Sequence, residues 1–83
     1  MLIDEGSAYV YVEGKRQAGV YCKVYGEQRN QSRFLKDGYT DIRGGFRYIP
    51  QNSEEIERYA VLSVTEKGGV VKIVDRPGKT GSL

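Results

Sequence analysis

The sequence predicts a small all-β domain, built as an antiparallel two-sheet sandwich. Apolar and polar residues alternate in several short segments, and turn signals separate these segments at short, regular intervals. The last two segments are also rich in β-branched residues. The chain has 83 residues, which suffice for one domain but not for two independent cores. We therefore expect about six short strands around one thin core.

The first two predicted strands, Ala8–Val12 and Val20–Tyr25, show the alternation most clearly. Alternate side chains of a strand point to opposite faces, so valines and small residues share one face and tyrosines the other. The segment Gly14–Arg16 can form a tight connection, which predicts that these two strands are neighbours. Their core face would carry Ala8, Val10, Val12, Val20, Cys22 and Val24.

The middle of the chain predicts a polar loop over Gly26–Gln31 and two short strands. The first, Arg33–Lys36, would end at Asp37–Gly38, a dipeptide suited to positive φ. Tyr39–Gly45 predicts a further turn, in which Asp41 accepts hydrogen bonds from downstream amides. The second strand, Phe46–Ile49, would be closed by Pro50.

The last part of the chain predicts at most one short helical turn and then a hairpin. Asn52 and Glu55 resemble a capping box, so the helical turn would lie near residues 53–59. Ala60–Thr65 and Val70–Val74 read as two strands joined by a four-residue connection with two glycines. The predicted core is Val10, Val20, Cys22, Val24, Phe46 and Leu62.

The predicted domain occupies residues 8–75. Residues 1–7 would be a lead-in, and residues 76–83 a flexible tail or linker, because Gly, Ser and charged residues dominate there. No run of about 18 apolar residues predicts a membrane-spanning helix. Charged residues make up 29% of the chain, which favours a soluble domain, here a fragment of a larger multidomain protein.

Two motifs resemble those of a known domain family. Gly14-Lys15 followed by Gly19-Val20, and Thr40-Asp41 followed by Gly44-Gly45-Phe46, resemble the carboxypeptidase regulatory-like domains. Those domains belong to the prealbumin-like (transthyretin-like) β-sandwiches, which are Ig-like in architecture. The resemblance covers about the first half of the chain. It implies a sandwich fold and an accessory role in a multidomain protein, and it transfers no catalytic residue.

The composition argues against an enzyme. The chain has no histidine and one cysteine, which removes the His-based nucleophilic sites and the common zinc sites. Cys22 falls on the core face, where a structural thiol is expected. The acidic residues occupy turn and cap positions, and a cation beside the Asp37–Asp41 loop is the alternative. We expect no catalytic residues, no metal and no cofactor.

The tyrosines predict a contact surface. Tyrosine buries a large area at low entropy cost and keeps a hydroxyl for a partner, which suits protein interfaces. The alternatives are that these side chains only stabilise a half-exposed sheet, that a neighbouring loop buries them, or that they form the true core. The candidate binding residues, on what we expect to be two adjacent strands, are Tyr9, Tyr11, Tyr21, Lys23 and Tyr25.

The function predicted from these features is a non-enzymatic protein-interaction or structural spacer module. Its partner would be another protein or a neighbouring domain of the same chain, with homo-oligomers through edge strands as a further possibility. The alternative is a small β-barrel that binds single-stranded nucleic acid through tyrosines and Lys/Arg side chains. A net charge of +2 is low for a nucleic-acid or membrane partner.

Overall fold

The computed structural model describes residues 1–4, 6–49 and 56–75 of the chain. These residues form nine strands and no helix, so the all-β prediction is confirmed for the described part of the chain. The strands are β1 Leu2–Asp4, β2 Ser7–Tyr9, β3 Tyr11–Val12, β4 Lys15–Arg16, β5 Tyr21–Gln28, β6 Gln31–Tyr39, β7 Gly45–Arg47, β8 Arg58–Thr65 and β9 Gly68–Asp75.

The strands form two facing sheets and one small hairpin. One sheet has four strands in the order β6-β5-β8-β9, and the other has three in the order β1-β2-β7. Strands β3 and β4 pair only with each other among the described residues. Every pairing is antiparallel. This arrangement is the predicted two-sheet sandwich.

The core lies between the two larger sheets. The three-stranded sheet and the residues beside it contribute Ala8, Val10, Phe46 and Tyr48. The four-stranded sheet contributes alternate side chains of β5 and β8, because these point to one face of the sheet. Those side chains are Cys22, Val24, Tyr59 and Val61, and Ser63 is buried with them.

The predicted core is confirmed at five of its six positions and is wrong at Leu62. Val10, Val20, Cys22, Val24 and Phe46 are buried. Leu62 is only half-buried, because the register pairs it with Lys23, whose side chain points away from the core. On β8 the inward residues are therefore Val61 and its alternate neighbours.

The prediction that Ala8–Val12 is one strand adjacent to Val20–Tyr25 is wrong. The chain leaves the three-stranded sheet at Val10, whose amide donates to the carbonyl of Gly44 at 3.0 Å. It then enters the β3–β4 hairpin, whose two turn residues, Glu13 and Gly14, both have positive φ. Strand β5 pairs instead with β6 and β8, so tyrosines before and after this hairpin lie in different sheets.

The predicted loop over Gly26–Gln31 is wrong as well. Strands β5 and β6 continue through it as a long hairpin, and only Arg29 and Asn30 form the turn. Both have positive φ, at 52° and 65°, which suits a two-residue hairpin turn. Strand β6 also runs through Asp37 and Gly38, where we expected a turn, because cross-strand pairing with Lys23 and Cys22 holds them extended.

The predicted turn after β6 and the final hairpin are confirmed. Oδ1 of Asp41 accepts hydrogen bonds from the amides of Arg43 and Gly45, both at 2.9 Å. These bonds lower the pKa of the Asp41 carboxyl, because they favour its charged form. Strands β8 and β9 pair along eight residues each, with Glu66 and Lys67 in the turn.

Three expectations concern the ends and the suggested helix. Residues 1–7 were expected as a lead-in, yet Leu2–Asp4 pairs with β2 and extends the three-stranded sheet. Of the suggested helical turn, residues 56 and 57 belong to no regular element and residues 58 and 59 lie in β8. Pro50, residues 53–55 of the suggested helical turn, and the tail at 76–83 lie outside the described residues.

Candidate interaction surface

One face of the four-stranded sheet points away from the core. Its side chains alternate with the buried ones along β5 and β8, and the cross-strand register extends the face to β6 and β9. We call it the outer sheet face. It consists of Phe34, Asp37 and Tyr39 on β6, Tyr21, Lys23 and Tyr25 on β5, Ala60, Leu62 and Val64 on β8, and Val71 and Ile73 on β9.

Aromatic side chains occupy the half of this face formed by β5 and β6. Tyr21 and Tyr39 are directly opposite each other, with ring centroids 5.6 Å apart and ring planes at 60°. Tyr25 and Phe34 form a second pair, with centroids 5.9 Å apart and nearly perpendicular rings. Such tilted pairs are the favoured geometry for aromatic rings. The two pairs form an aromatic surface of four side chains.

Polar groups lie between these two aromatic pairs. The hydroxyl of Tyr21 donates to Oδ2 of Asp37 at 2.7 Å, which raises the pKa of Tyr21 to about 12 because the bond favours the neutral phenol. The Nζ atom of Lys23 lies 5.9 Å from the centroid of the Tyr25 ring, within range of a cation–π contact. The aromatic half can therefore hydrogen-bond as well as pack.

Aliphatic side chains occupy the other half of the outer sheet face. Val64, Val71 and Ile73 are 45%, 59% and 63% exposed. At the end of the sheet beyond Ile73, Arg58 forms ion pairs with Glu27 at 3.0 Å and with Asp75 at 3.7 Å. The face is thus an apolar strip with a charged border at that end, the usual composition of a protein contact surface.

Tyr9 and Tyr11 lie elsewhere. The guanidinium of Arg16 sits 4.3 Å from the centroid of the Tyr9 ring and 6.0 Å from that of Tyr11. Nε of Arg16 also donates to the Tyr11 hydroxyl at 3.2 Å. Of the predicted binding residues, the structure therefore brings together Tyr21, Lys23 and Tyr25 and separates Tyr9 and Tyr11 from them.

The fold and this surface can be compared with known proteins. The model of a family described as the AbpF C-terminal domain matches residues 3–79. The chain belongs to the AbpF C-terminal domain family. Actin-binding protein F of Dictyostelium discoideum is 41% identical over 63 residues, which cover 70% of the chain and 3% of the relative. The chain thus spans a small fraction of that protein. No solved structure matches it.

Membership of the AbpF C-terminal domain family supports an Ig-like sandwich, in agreement with the two facing sheets described above. It does not single out the prealbumin-like sandwiches that the two turn motifs resemble. Among the residues described, no cluster of His, Cys, Asp and Glu could hold a metal ion. None of those residues belongs to a helix with the length and apolar character needed to cross a bilayer.

The one cysteine of the chain, Cys22, is buried. Its Sγ atom lies 3.6 Å from the carbonyl oxygen of Val20, and burial raises the pKa of the thiol to about 11. The thiolate is the reactive form of cysteine, so this residue is a poor nucleophile. The geometry agrees with a structural role for Cys22.

Three basic residues, Arg16, Lys23 and Lys36, do not line one groove. Lys23 belongs to the outer sheet face, whereas Lys36 pairs with the inward-facing Val24 and donates to the carbonyl of Arg47 at 2.7 Å. Arg16 lies in the β3–β4 hairpin with Tyr9 and Tyr11. Among these residues the structure brings no row of cations together with the aromatic rings.

Sequence reasoning missed the five exposed large apolar residues of the outer sheet face. The sequence predicts a turn at Tyr39. It also predicts that Leu62 points into the core, and alternation along β8 would then turn Val64 inward as well. On β6 one extra residue, Leu35, interrupts the pairing opposite Val24 and Tyr25, so that Phe34 faces outward. Val71 and Ile73 alternate with Val70 and Val74. Once the register with β8 is known, this alternation shows that Val71 and Ile73 point to the outer sheet face.

Proposed function

We propose that this chain is a non-enzymatic protein-interaction or spacer module of a longer protein, and that it contacts its partner through the outer sheet face. The observation that carries the proposal is the exposure of large apolar side chains on one sheet face. Phe34 is 50% exposed and Tyr39 is 68% exposed, in addition to the three aliphatic residues on β8 and β9. Contiguous apolar surface of this kind is typical of protein contacts.

The chemistry of the face favours a protein as the partner. Its rings and aliphatic side chains offer area for packing, and the Tyr21 hydroxyl and Lys23 offer directional contacts near its centre. The relative is named an actin-binding protein, and the chain corresponds to a small part of it. Actin filaments are therefore the first partner to test, and neighbouring domains of the same longer chain are the second.

Two observations support the non-enzymatic part of the proposal. The chain has no histidine, and its one thiol is buried with a raised pKa. The described acidic side chains form no cluster that could hold a metal, and Asp41 is engaged within its own turn. Catalysis would need a constellation of groups that these residues do not form.

A finer assignment to the carboxypeptidase regulatory-like sandwiches is part of the same proposal. It is supported by the turn from Thr40 to Phe46, in which Asp41 caps downstream amides and Phe46 enters the core. In such a module these residues shape the fold and leave the outer sheet face for contacts.

Co-sedimentation of the chain with actin filaments tests the proposal. The informative variant is Phe34→Ser with Tyr39→Ser, because both side chains are half or more exposed and little core packing is lost. The matched control is Tyr11→Ser with Ile42→Ser, which removes an exposed aromatic and an exposed aliphatic group outside the outer sheet face. Circular dichroism of each variant checks that it folds.

We expect the wild type and the control variant to pellet with filaments, and the Phe34/Tyr39 variant to remain in the supernatant. Equal pelleting of both variants would show that the contact lies outside the outer sheet face. If the wild type does not pellet at any filament concentration, actin is excluded as the partner. The same pair of variants is then tested against the segments that flank this chain in its longer protein.

A further inference from the structure

Strand β9 is an edge strand whose residues 70–73 are exposed on both faces of the sheet. Among the described residues it pairs only with β8. On the outer sheet face Val71 and Ile73 are exposed, and on the opposite face Val70 is 47% exposed and Lys72 is exposed as well. The three-stranded sheet does not bury this part of the core side of β9.

An edge strand of this kind has backbone groups available for another strand. Antiparallel partners exchange hydrogen bonds at alternate residues, so half of the β9 amides and carbonyls point away from β8. Proteins often protect such edges with short strands, prolines or bulges. Strand β9 has eight residues, no proline and a continuous eight-residue register with β8.

We propose that β9 pairs antiparallel with β9 of a second copy of this chain, with the two-fold axis at Val71. The two four-stranded sheets would then form one continuous eight-stranded sheet. The interface is isologous, as expected for a homodimer, because the same strand contributes from both copies. This proposal is independent of the identity of the partner at the outer sheet face.

The register follows from the side chains of β9. With Val71 opposite its own copy, Lys67 lies opposite Asp75 at each end of the pairing, and Ile73 lies opposite Gly69, where it meets no side chain. Asp75 is well exposed, and its only described ion pair is the 3.7 Å contact with Arg58. Lys67 lies in the turn just before β9 and is paired with Glu13 at 3.6 Å. Both ion pairs are long and exposed to solvent, so the two side chains can exchange these partners for each other at little cost. Both ends therefore carry opposite charges that can pair.

Two registers shifted toward the carboxyl end are less favourable. Shifting the axis by one residue toward the carboxyl end places Lys72 opposite Lys72, and like charges directly across a sheet are destabilising. A shift of two residues places Asp75 opposite Val71. In the proposed register Lys72 lies opposite Val70 and its aliphatic stem can cover that exposed side chain.

The size of the interface indicates a weak, reversible dimer. A single strand pair of eight residues lies at or below the lower end of the areas found in stable interfaces. We therefore expect a monomer–dimer equilibrium that depends on protein concentration.

Sedimentation equilibrium of the full chain, from low micromolar to millimolar concentration, tests this proposal. The variants are Val71→Lys and Val71→Glu, because Val71 is mostly exposed and the substitution removes little packing. The matched control is Val64→Lys, which places a charge on the outer sheet face but on β8, an inner strand of the sheet. Circular dichroism and thermal unfolding check that each variant folds.

We expect the wild type and Val64→Lys to dimerise, and each Val71 variant alone to associate at least about tenfold more weakly because like charges oppose each other at the axis. An equimolar mixture of Val71→Lys and Val71→Glu should recover the dimer. A wild type that stays monomeric would overturn the proposal. So would a dimer that survives in Val71→Lys, or a mixture that does not associate.

Discussion

The hydroxyl of Tyr21 donates a hydrogen bond to Oδ2 of Asp37 at 2.7 Å, diagonally across the β5–β6 pair. The contact joins two side chains of the outer sheet face, one on β5 and one on the edge strand β6. It holds the Tyr21 ring in place beside Tyr39. It also makes the ionisation of Tyr21 a direct measure of whether this surface is assembled.

We predict that the Tyr21 phenol titrates near pH 12 and that Asp37→Asn moves its pKa down toward 10. The carboxylate stabilises the neutral phenol through the hydrogen bond and opposes the phenolate charge. Ring-labelled tyrosine followed by NMR during a pH titration gives this pKa. Glu13→Gln removes a distant acid and should leave it unchanged. An unchanged Tyr21 pKa in Asp37→Asn would contradict the contact.

The same bond predicts a pH dependence of stability. The pKa of Tyr21 is higher in the folded state, about 12 against about 10 in the unfolded chain. The hydrogen bond therefore contributes its full stabilisation below pH 10. It is then lost as the pH rises toward 12. The difference in free energy of unfolding between wild type and Tyr21→Phe, measured by urea denaturation, should be constant below pH 10 and shrink above it. A constant difference up to pH 12 would show that the bond does not form.

Thr40 links the connection before β5 to the end of β6. We predict that Thr40→Val lowers the free energy of unfolding of the domain by about 1–3 kcal/mol. Its buried hydroxyl accepts from the Val20 amide at 2.9 Å and donates to the Gln17 carbonyl at 2.6 Å. Valine keeps the shape but leaves the Val20 amide without that acceptor. Urea denaturation gives the loss, and Thr40→Ser should recover most of it.

The matched control for this prediction is Thr65→Val. Thr65 accepts from the Lys67 amide at 3.1 Å in an exposed turn, where water can replace the hydroxyl. Thr65→Val should therefore lower the free energy of unfolding by no more than about 0.5 kcal/mol. If Thr40→Val and Thr65→Val lower the free energy of unfolding equally, the claim that burial makes the Thr40 hydrogen bonds more stabilising is wrong.

Alanine substitutions at two glycines with positive φ distinguish the cost of backbone strain from the cost of steric contact. Gly44 has φ of 76°, and a Cβ there would lie 2.8 Å from Cβ of Arg16 and 2.9 Å from the Gln17 amide nitrogen. Gly14 has φ of 81° and no atom within 4 Å of the added Cβ. We predict that Gly14→Ala costs about 1–2 kcal/mol from backbone conformation alone. Gly44→Ala should cost about 1–3 kcal/mol more because the backbone must move.

Thermal and urea unfolding of both alanine variants measures this difference. A Gly44→Ala variant as stable as Gly14→Ala would show that the β3–β4 hairpin does not pack on the turn at Gly44. The backbone hydrogen bond from the Val10 amide to the Gly44 carbonyl lies in the same place. The pair of variants therefore tests how the small hairpin is held against the sandwich.

Cys22 should be protected from alkylation in the folded domain. With a pKa of about 11 instead of about 9, the thiolate fraction near pH 8 falls about a hundredfold, and burial hinders access further. Mass spectrometry after iodoacetamide treatment should show unmodified protein, whereas the chain in guanidinium chloride should be modified fully. Rapid modification of the folded chain would contradict the buried position of Cys22.

The all-β class, the inward valines and the final hairpin could be predicted from the sequence because they depend on local patterns. Alternation identified Val20, Cys22 and Val24 as inward-facing, and the two glycines after Glu66-Lys67 indicated the β8–β9 turn. The turn at Asp41 was also local, since its carboxylate bonds to amides two and four residues ahead. Each of these features involves residues close together in the chain.

Only the tertiary structure decided which strands are neighbours and which side chains form the outer sheet face. The short connection between Ala8–Val12 and Val20–Tyr25 suggested that the two segments are neighbouring strands. Hydrogen bonds to residues far away in the sequence place them in different sheets. The extra residue Leu35 turns Phe34 outward, and the register of β8 places Leu62 opposite Lys23. A shift of one residue in pairing reverses the face of every side chain on a strand, so alternation within a strand cannot determine the pairing between strands.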